Sequence, residues 1–250
     1  MRDDRIYSFS GMYPEGLSEE LHRTDLSGIE STNLYCSEEA GEEILAHIRE
    51  YGPYGIHLID HGNYHYMTRW FLEDVKDPVT LAVFDHHTDL QEDGLFGLLS
   101  CGNWIRAVLE ECPAVRNVIL IGPTRAAAAL IDEKYLSRLS VICEEDLLDG
   151  GGERLLQECE ITGSLWVSAD LDILDGRYFA SNWDHGLVEP ALLYRLLKQI
   201  SAGQRVIGVD ICGGDPSCFG PKEEEICRGI YDLMRDSVTI EPPVEAEGGR

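Results

Sequence analysis

Six stretches of almost uninterrupted apolar residues punctuate the chain, at 56–60 (IHLID), 79–85 (VTLAVFD), 116–122 (RNVILIG), 139–143 (LSVIC), 164–170 (SLWVSAD) and 205–211 (RVIGVDI). A strand with one wet face alternates apolar and polar residues. These runs do not, so both of their faces must be covered, the mark of strands inside a parallel sheet. Between them, segments 38–50, 66–75, 103–111, 124–138, 152–159, 189–201 and 221–235 carry apolar residues at helical spacing. Pro221, followed by Lys222 and three glutamates, suits a helix start. This alternation predicts an α/β fold with a mostly parallel, doubly wound sheet. No internal repeat or Pro/Ser-rich linker divides the chain, so one domain is expected over 1–240, followed by a frayed tail at 241–250.

Composition narrows the function. Forty-six Asp and Glu stand against 20 Lys and Arg, a net charge of −26 among 250 residues that are 44% hydrophobic. That field repels a phosphate backbone and attracts cations, so a nucleic-acid partner is not expected. No apolar run reaches membrane-spanning length, and the N-terminal Met1-Arg2-Asp3-Asp4-Arg5 is not followed by a secretory apolar stretch. Neither a membrane partner nor secretion is therefore expected. Eight cysteines form no CxxC pair, so a zinc-finger reading has little support and reduced thiols in the cytoplasm are expected. The Gly150-Gly151-Gly152 run fits no phosphate-cradling pattern and reads as a turn.

In a sheet of this kind, ligands gather at the carboxyl ends of the strands. There the sequence places Asp60-His61, then Asp85-His86-His87-Thr88-Asp89, then Asp170-Leu171-Asp172, and Asp210. If 85–89 stays extended, Asp85, His87 and Asp89 share one face and His86 takes the other. With Asp170, Asp172 and His65, they make four carboxylates and two imidazoles. An oxygen-rich set with some histidine suits two divalent ions and favours Mn²⁺ over soft metals. Two such ions neutralise four aspartates, which would otherwise repel one another and resist ionisation. A lone Asp-x-Asp is often a cap or turn, but a strand end needs one capping group rather than the several that DHHTD supplies. His61 and His185 read either as ordinary histidines or as groups reaching the site mouth. Tyr64, Tyr66, Trp70, Trp104 and Trp183 lie near these segments, as pocket lining or, more commonly, as core.

The order Gly62-Asn63-Tyr64-His65, then Asp85-x-His87-x-Asp89, then Ser168-x-Asp170-x-Asp172-x-x-Asp175 resembles the arginase/agmatinase (ureohydrolase) superfamily over about residues 56–216. The resemblance implies a three-layer α/β/α fold and two Mn²⁺ per chain. It implies that His65, Asp85, Asp89 and Asp170 hold one ion, and that Asp85, His87, Asp170 and Asp172 hold the other. It also implies a mechanism in which a hydroxide bridging the ions attacks a guanidinium or amidine carbon and urea leaves. Asp89 and Asp172 would then serve catalysis as well as ligation. Two positions depart from the family pattern. Ile105 stands where arginases carry a histidine, and Gly213 where they carry the glutamate that grips the guanidinium. Asp60, Asn103, Asp184 and Asp215 become the candidates for substrate contact, and His61 and His185 for proton transfer. The segments are more similar to a divergent branch that includes peptide arginases, which implies a cationic small-molecule or peptide substrate. A homo-oligomer is compatible with the sequence. The rivals are a DHH-type Mn phosphoesterase, which needs an Asp-x-Asp upstream of DHH rather than downstream, and a non-catalytic metal-binding module of the same fold. A haloacid-dehalogenase-like phosphatase would put its Asp-x-Asp earlier in the chain and leave DHHTD without a role.

Overall fold

The computed structural model describes residues 2–18, 21–92 and 97–239. The tail expected at 241–250 lies outside them. The strands are β1 (Arg5–Ser8), β2 (His22–Asp25), β3 (Tyr35–Cys36), β4 (Gly55–Leu58), β5 (Val79–Phe84), β6 (Leu99–Ser100), β7 (Val115–Ile121), β8 (Leu139–Ile142), β9 (Ser164–Asp170) and β10 (Val206–Cys212). The α-helices are α1 (Glu38–Tyr51), α2 (Met67–Leu72), α3 (Trp104–Glu111), α4 (Arg125–Ala128), α5 (Glu144–Leu148), α6 (Gly152–Glu158), α7 (Pro190–Ser201) and α8 (Pro221–Met234). Eight strands form one sheet in the order β2-β1-β4-β10-β9-β5-β7-β8, and β3 and β6 pair separately as an antiparallel ribbon. Every neighbouring pair in the large sheet is parallel.

The apolar runs are double-sided because the sheet separates two cores. In β5, Ala82 and Phe84 join Val167, Val209 and the α7–α8 residues Leu193, Leu196 and Ile230 on one face. Leu81 and Val83 join Trp166 and the α1–α3 residues Ile44, Ile48, Phe71 and Trp104 on the other. The period of two along the strand thus sorts the residues into two apolar layers instead of one apolar and one polar. Each fully buried Leu, Val, Ile or Phe contributes about 1.5–3 kcal/mol relative to exposure. The helices begin where the sequence provides for it. Ser37 Oγ accepts the Ala40 N–H at the start of α1, and Pro190 and Pro221 open α7 and α8.

Two expectations about the elements need correction. Segment 124–138 is not one helix. It breaks after α4, where Asp132 caps a separate 3-10 turn by accepting the Lys134 N–H, and Leu130 is left exposed. The sheet also extends two strands beyond the apolar runs. β1 is only four residues long, and the edge strand β2 (His22-Arg23-Thr24-Asp25) is polar and mostly exposed, so neither carries a hydrophobic signal.

Candidate metal centre

Three strand ends converge at the middle of the sheet, those of β5, β9 and β10, with the segment after β4 beside them. Asp85 follows β5 directly, and its N–H donates to Ile121 O at 2.9 Å. The chain then turns rather than running extended. His87 N–H donates to Asp85 Oδ1 at 2.5 Å, and Asp89 adopts φ +47°. The left-handed residue re-aims the Asp89 carboxylate, which accepts the Trp104 indole N–H at 2.6 Å. The five-residue segment thus delivers its alternate side chains to one place by a turn, not by pleating. Asp170 ends β9 and caps the following 3-10 turn by accepting the Asp172 N–H at 3.0 Å. His65 closes the 3-10 turn after β4, its N–H bonded to Gly62 O at 3.1 Å.

Two donor sets result. His65 Nδ1 lies 3.1 Å from Asp85 Oδ2, 3.4 Å from Asp89 Oδ2 and 3.5 Å from Asp170 Oδ2. His87 Nδ1 lies 3.0 Å from Asp172 Oδ2 and 3.4 Å from Asp85 Oδ1. Asp85 belongs to both sets, one oxygen to each. His65, Asp85, Asp89, Asp170 and Asp172 are buried, and His87 is part-exposed toward solvent. His65 Nδ1 and Asp85 Oδ2 are buried with no well-aligned hydrogen-bond partner. A buried imidazole nitrogen and carboxylate oxygen 3.1 Å apart call for a proton or a cation to satisfy both. The donors fit divalent cations, since carboxylates and imidazoles within 4.8 Å of one another form the groups His65/Asp85/Asp89 and Asp85/His87/Asp172.

The electrostatics follow from that crowding. Burial opposes charge on every member. The facing carboxylates of Asp85 and Asp89 nonetheless hold the His65 pKa well above its usual value, and Asp172 and Asp85 push His87 up to about 12. Burial, then the negative charge of Asp85, raises Asp89 to about 7. Burial, then Asp170 and Asp85, raises Asp172. Against its own burial, Asp85 is driven down by both imidazoles. Two imidazolium ions thus do the balancing that a pair of metal cations would take over.

Behind His65 runs a buried polar chain. His65 Nε2 lies 2.9 Å from Ser168 Oγ, which donates to Asp210 Oδ1 at 2.6 Å. Thr68 Oγ1 donates to the same Asp210 oxygen at 2.9 Å, and the Trp166 indole donates to the other at 2.6 Å. In front of the carboxylates lies a cavity of about 160 Å³, lined by Asp85, His87, Asp89, Asp170 and Asp172 together with Leu34, Tyr35, Gly62, Gln91, Ser100, Cys101, Gly102 and Trp183. Asn63 Oδ1 positions Trp183 by accepting its indole N–H at 2.8 Å.

The structure separates the other candidates from this cavity. Asp60 is fully buried. Its carboxylate accepts from the Phe9 and Ser10 N–H groups, the Ser10 hydroxyl and the His61 N–H, so it ties the β1 exit to the segment after β4. Asn103 is spent on its own loop, accepting from Ser100 N and donating to Leu98 O. Asp215 accepts the Ser217 N–H, and Asp184 is exposed on the surface. His61 packs edge-on to Tyr64 with its ring 4.8 Å away, and burial lowers its pKa. His185 packs at Gly176. None of these six lines the cavity. His86 turns away from the donors, with its ring toward Glu144. Of the aromatic candidates, Trp183 alone lines the cavity. Tyr64 stacks on Phe9, Tyr66 donates to Thr32 O, and Trp104 is core beneath His65.

Gly213 stands at φ +104°, and a Cβ there would meet Asp170 Oδ1 at 2.7 Å and Leu171 N at 2.8 Å. The glutamate of the family pattern has no room on this backbone. Ile105, at the position of the family histidine, is fully buried.

A parallel α/β sheet carrying a candidate metal-donor set at its carboxyl edge is an arginase-like arrangement. The model of the Arginase family matches residues 55–222, more than half of the chain, and the chain belongs to that family. An uncharacterized protein of Thermotoga maritima is 27% identical over 228 residues, which span 88% of this chain and 83% of that protein. The agmatine ureohydrolase of Thermoplasma volcanium superposes with a TM-score of 0.65 at 16% identity, covering 87% of this chain and 71% of that one. Arginase from Bacillus subtilis gives 0.64 at 15% identity, covering 94% and 98%. Trypanosoma cruzi formiminoglutamase, solved with Mn²⁺, gives 0.65 at 13% identity, covering 87% and 76%. At these identities the likenesses establish the fold. Family membership leaves the DHH-phosphoesterase and haloacid-dehalogenase-like readings without support. Among the described residues, no helix is long and apolar enough to cross a membrane.

Proposed function

We propose that this chain is a dinuclear, manganese-dependent amidino hydrolase that cleaves a guanidinium C–N bond and releases urea, acting on an arginine side chain presented by a peptide. The observation that carries the reading is the sharing of Asp85 between two donor sets at a cavity floor. His65, Asp85, Asp89 and Asp170 would hold one cation, and Asp85, His87, Asp170 and Asp172 the other. When bound, such a pair supplies Lewis acidity and brings the pKa of a water near neutrality.

The chain's own residues do the rest. The chain's net charge of −26 favours the approach of a cationic group, and Tyr35 and Trp183 line the cavity that receives it. Trp104 fixes Asp89, and Ser168 fixes the tautomer and plane of His65. The substrate class follows from what lines the cavity. Among the described residues, its wall outside the donor set is neutral, so the α-ammonium and α-carboxylate of a free amino acid find no charged partner there. A peptide carries neither group beside the arginine side chain. The eight free thiols suit a reducing, cytoplasmic setting.

The test is urea release by Mn²⁺-loaded protein from arginine, agmatine and arginine-containing peptides, beside an Asp172→Asn variant. Urea from the peptides, lost in the variant, supports the reading. Two metals bound per chain with no urea from any of the three would leave a metal-binding module instead.

A further inference from the structure

We propose that Cys212 supplies a sulfur ligand to the cation held by His65 and Asp170, which makes the inner position of the centre softer than the outer one. The inference rests on the metal-centre reading above and changes the identity of one ion within it.

Cys212 is the last residue of β10 and stands in parallel register beside Asp170, the last residue of β9. Its Sγ donates to Asp170 Oδ2 at 3.1 Å, the same oxygen that lies 3.5 Å from His65 Nδ1. The sulfur, the carboxylate oxygen and the imidazole nitrogen lie within 4.8 Å of one another, and all three residues are buried. Ligands bound at about 2.0–2.3 Å from a common ion stand roughly 3–4 Å apart, so the donors need only a small contraction to close on one cation. The second pointer is His65 Nδ1, a fully buried nitrogen with no well-aligned hydrogen bond, which faces the Asp170–Cys212 space as well as Asp85 and Asp89.

The approach of Cys212 to Asp170 is built into the backbone. Gly213 at φ +104° lets the chain leave β10 close against Asp170, where any Cβ would collide. Asp210, two residues earlier on the same face, is consumed by Ser168, Thr68 and Trp166, which leaves Cys212 as the β10 side chain that reaches the donors. As the sulfur–metal bond forms, the Sγ proton now directed at Asp170 passes to solvent. The outer group, Asp85/His87/Asp172, contains only nitrogen and oxygen. Thiolate favours zinc and similar borderline metals, whereas carboxylate and imidazole suit manganese. The two positions therefore differ in metal preference.

The experiment is titration of the full-length chain with Co²⁺, followed by visible and near-ultraviolet absorption. Visible d–d bands report binding by any donor set, and a near-ultraviolet charge-transfer band reports a thiolate ligand. The expected result is a charge-transfer band that saturates with one of two cobalt equivalents, vanishes in Cys212→Ser and Cys212→Ala, and survives in Cys101→Ser, a change at a second cysteine, one that lines the cavity. Visible bands at two equivalents without a charge-transfer band would overturn the sulfur ligand and leave the centre standing. A band retained in both Cys212 variants, or lost in Cys101→Ser, would also overturn it. Absence of both sets of bands would overturn the centre and the sulfur ligand together. If the Cys212 variants fail to fold, absence of the band in the wild type or its loss in Cys101→Ser still overturns the sulfur ligand.

Discussion

Ser168 Oγ stands 2.9 Å from His65 Nε2 and, because its hydroxyl donates to Asp210 Oδ1, leaves the imidazole only one way to face the site. Nε2–H donates backward, so once a cation displaces the Nδ1 proton it is the Nδ1 lone pair that faces the site. Ser168→Ala should weaken divalent-metal affinity by about 10–100-fold while leaving the fold intact, as loss of a partner behind a ligand does. Calorimetric titration of both proteins with Mn²⁺ checks this. Unchanged affinity would show that the ring needs no such support.

Gly213 and Asp170 define a second constraint. Gly213→Ala forces a side chain onto a left-handed backbone and into Asp170 Oδ1. It should cost about 1–3 kcal/mol of stability and lower metal affinity by displacing the carboxylate. Gly213→Glu should fare no better, even though it restores the family's letter at that position. Denaturant melts of the two variants with and without Mn²⁺ separate strain from ligation, and a Gly213→Glu variant of native stability would refute the steric account.

How much was legible beforehand follows from the physics of each position. The central strands declared themselves because a sheet covered on both faces leaves no polar alternation, as in Val79–Phe84. The donor set stood out because four acids and two imidazoles at or near strand ends exceed what capping requires. Asp60 sits at a strand end too, yet it binds the backbone of Phe9 and Ser10, some fifty residues away, and no local pattern reports such a partner. Cys212 shares a strand face with Asp210 and reaches Asp170, but a cysteine inside an apolar run reads as packing. The polar β2 carries no hydrophobic signal to read.

Metal binding and pH should be linked. Bound cations need His65 and His87 neutral and Asp89 ionised, whereas His87 is pushed up to about 12 and Asp89 up to about 7. Cation binding therefore displaces protons, and affinity should rise with pH across neutrality and fall below it. Titrations in two buffers of different ionisation enthalpy should show net proton release at pH 7. Chelation of the metal should lower the melting temperature, since a ligand at 100 times its Kd adds about 2.7 kcal/mol to the folded state. Zero proton exchange would contradict the protonation states described.

His57 offers a pH effect outside the centre. Its ring is fully buried, stacked on Phe71 at 4.5 Å, with Nε2–H donating to Pro53 O at 2.9 Å. Burial lowers its pKa from 6.5 to about 4. Between those values the unfolded chain binds the proton and the folded chain does not. The stability is therefore fully present above pH 6.5 and is lost as pH falls toward 4, by about 3 kcal/mol in all. His57→Phe should flatten this part of the acid limb in urea melts at pH 7 and pH 4.5. An unchanged slope would assign acid sensitivity elsewhere.

Asp85 gives one oxygen to the His65 set and the other to the His87 set. Metal content per chain, measured by mass spectrometry after loading with Co²⁺ and removal of free ion, tests that sharing in one step. The expected result is two ions per wild-type chain and fewer than one per Asp85→Asn chain, because the substitution damages both positions at once. One ion or none in the wild type, or a variant that keeps a full second ion, would contradict a dinuclear centre built on a shared carboxylate.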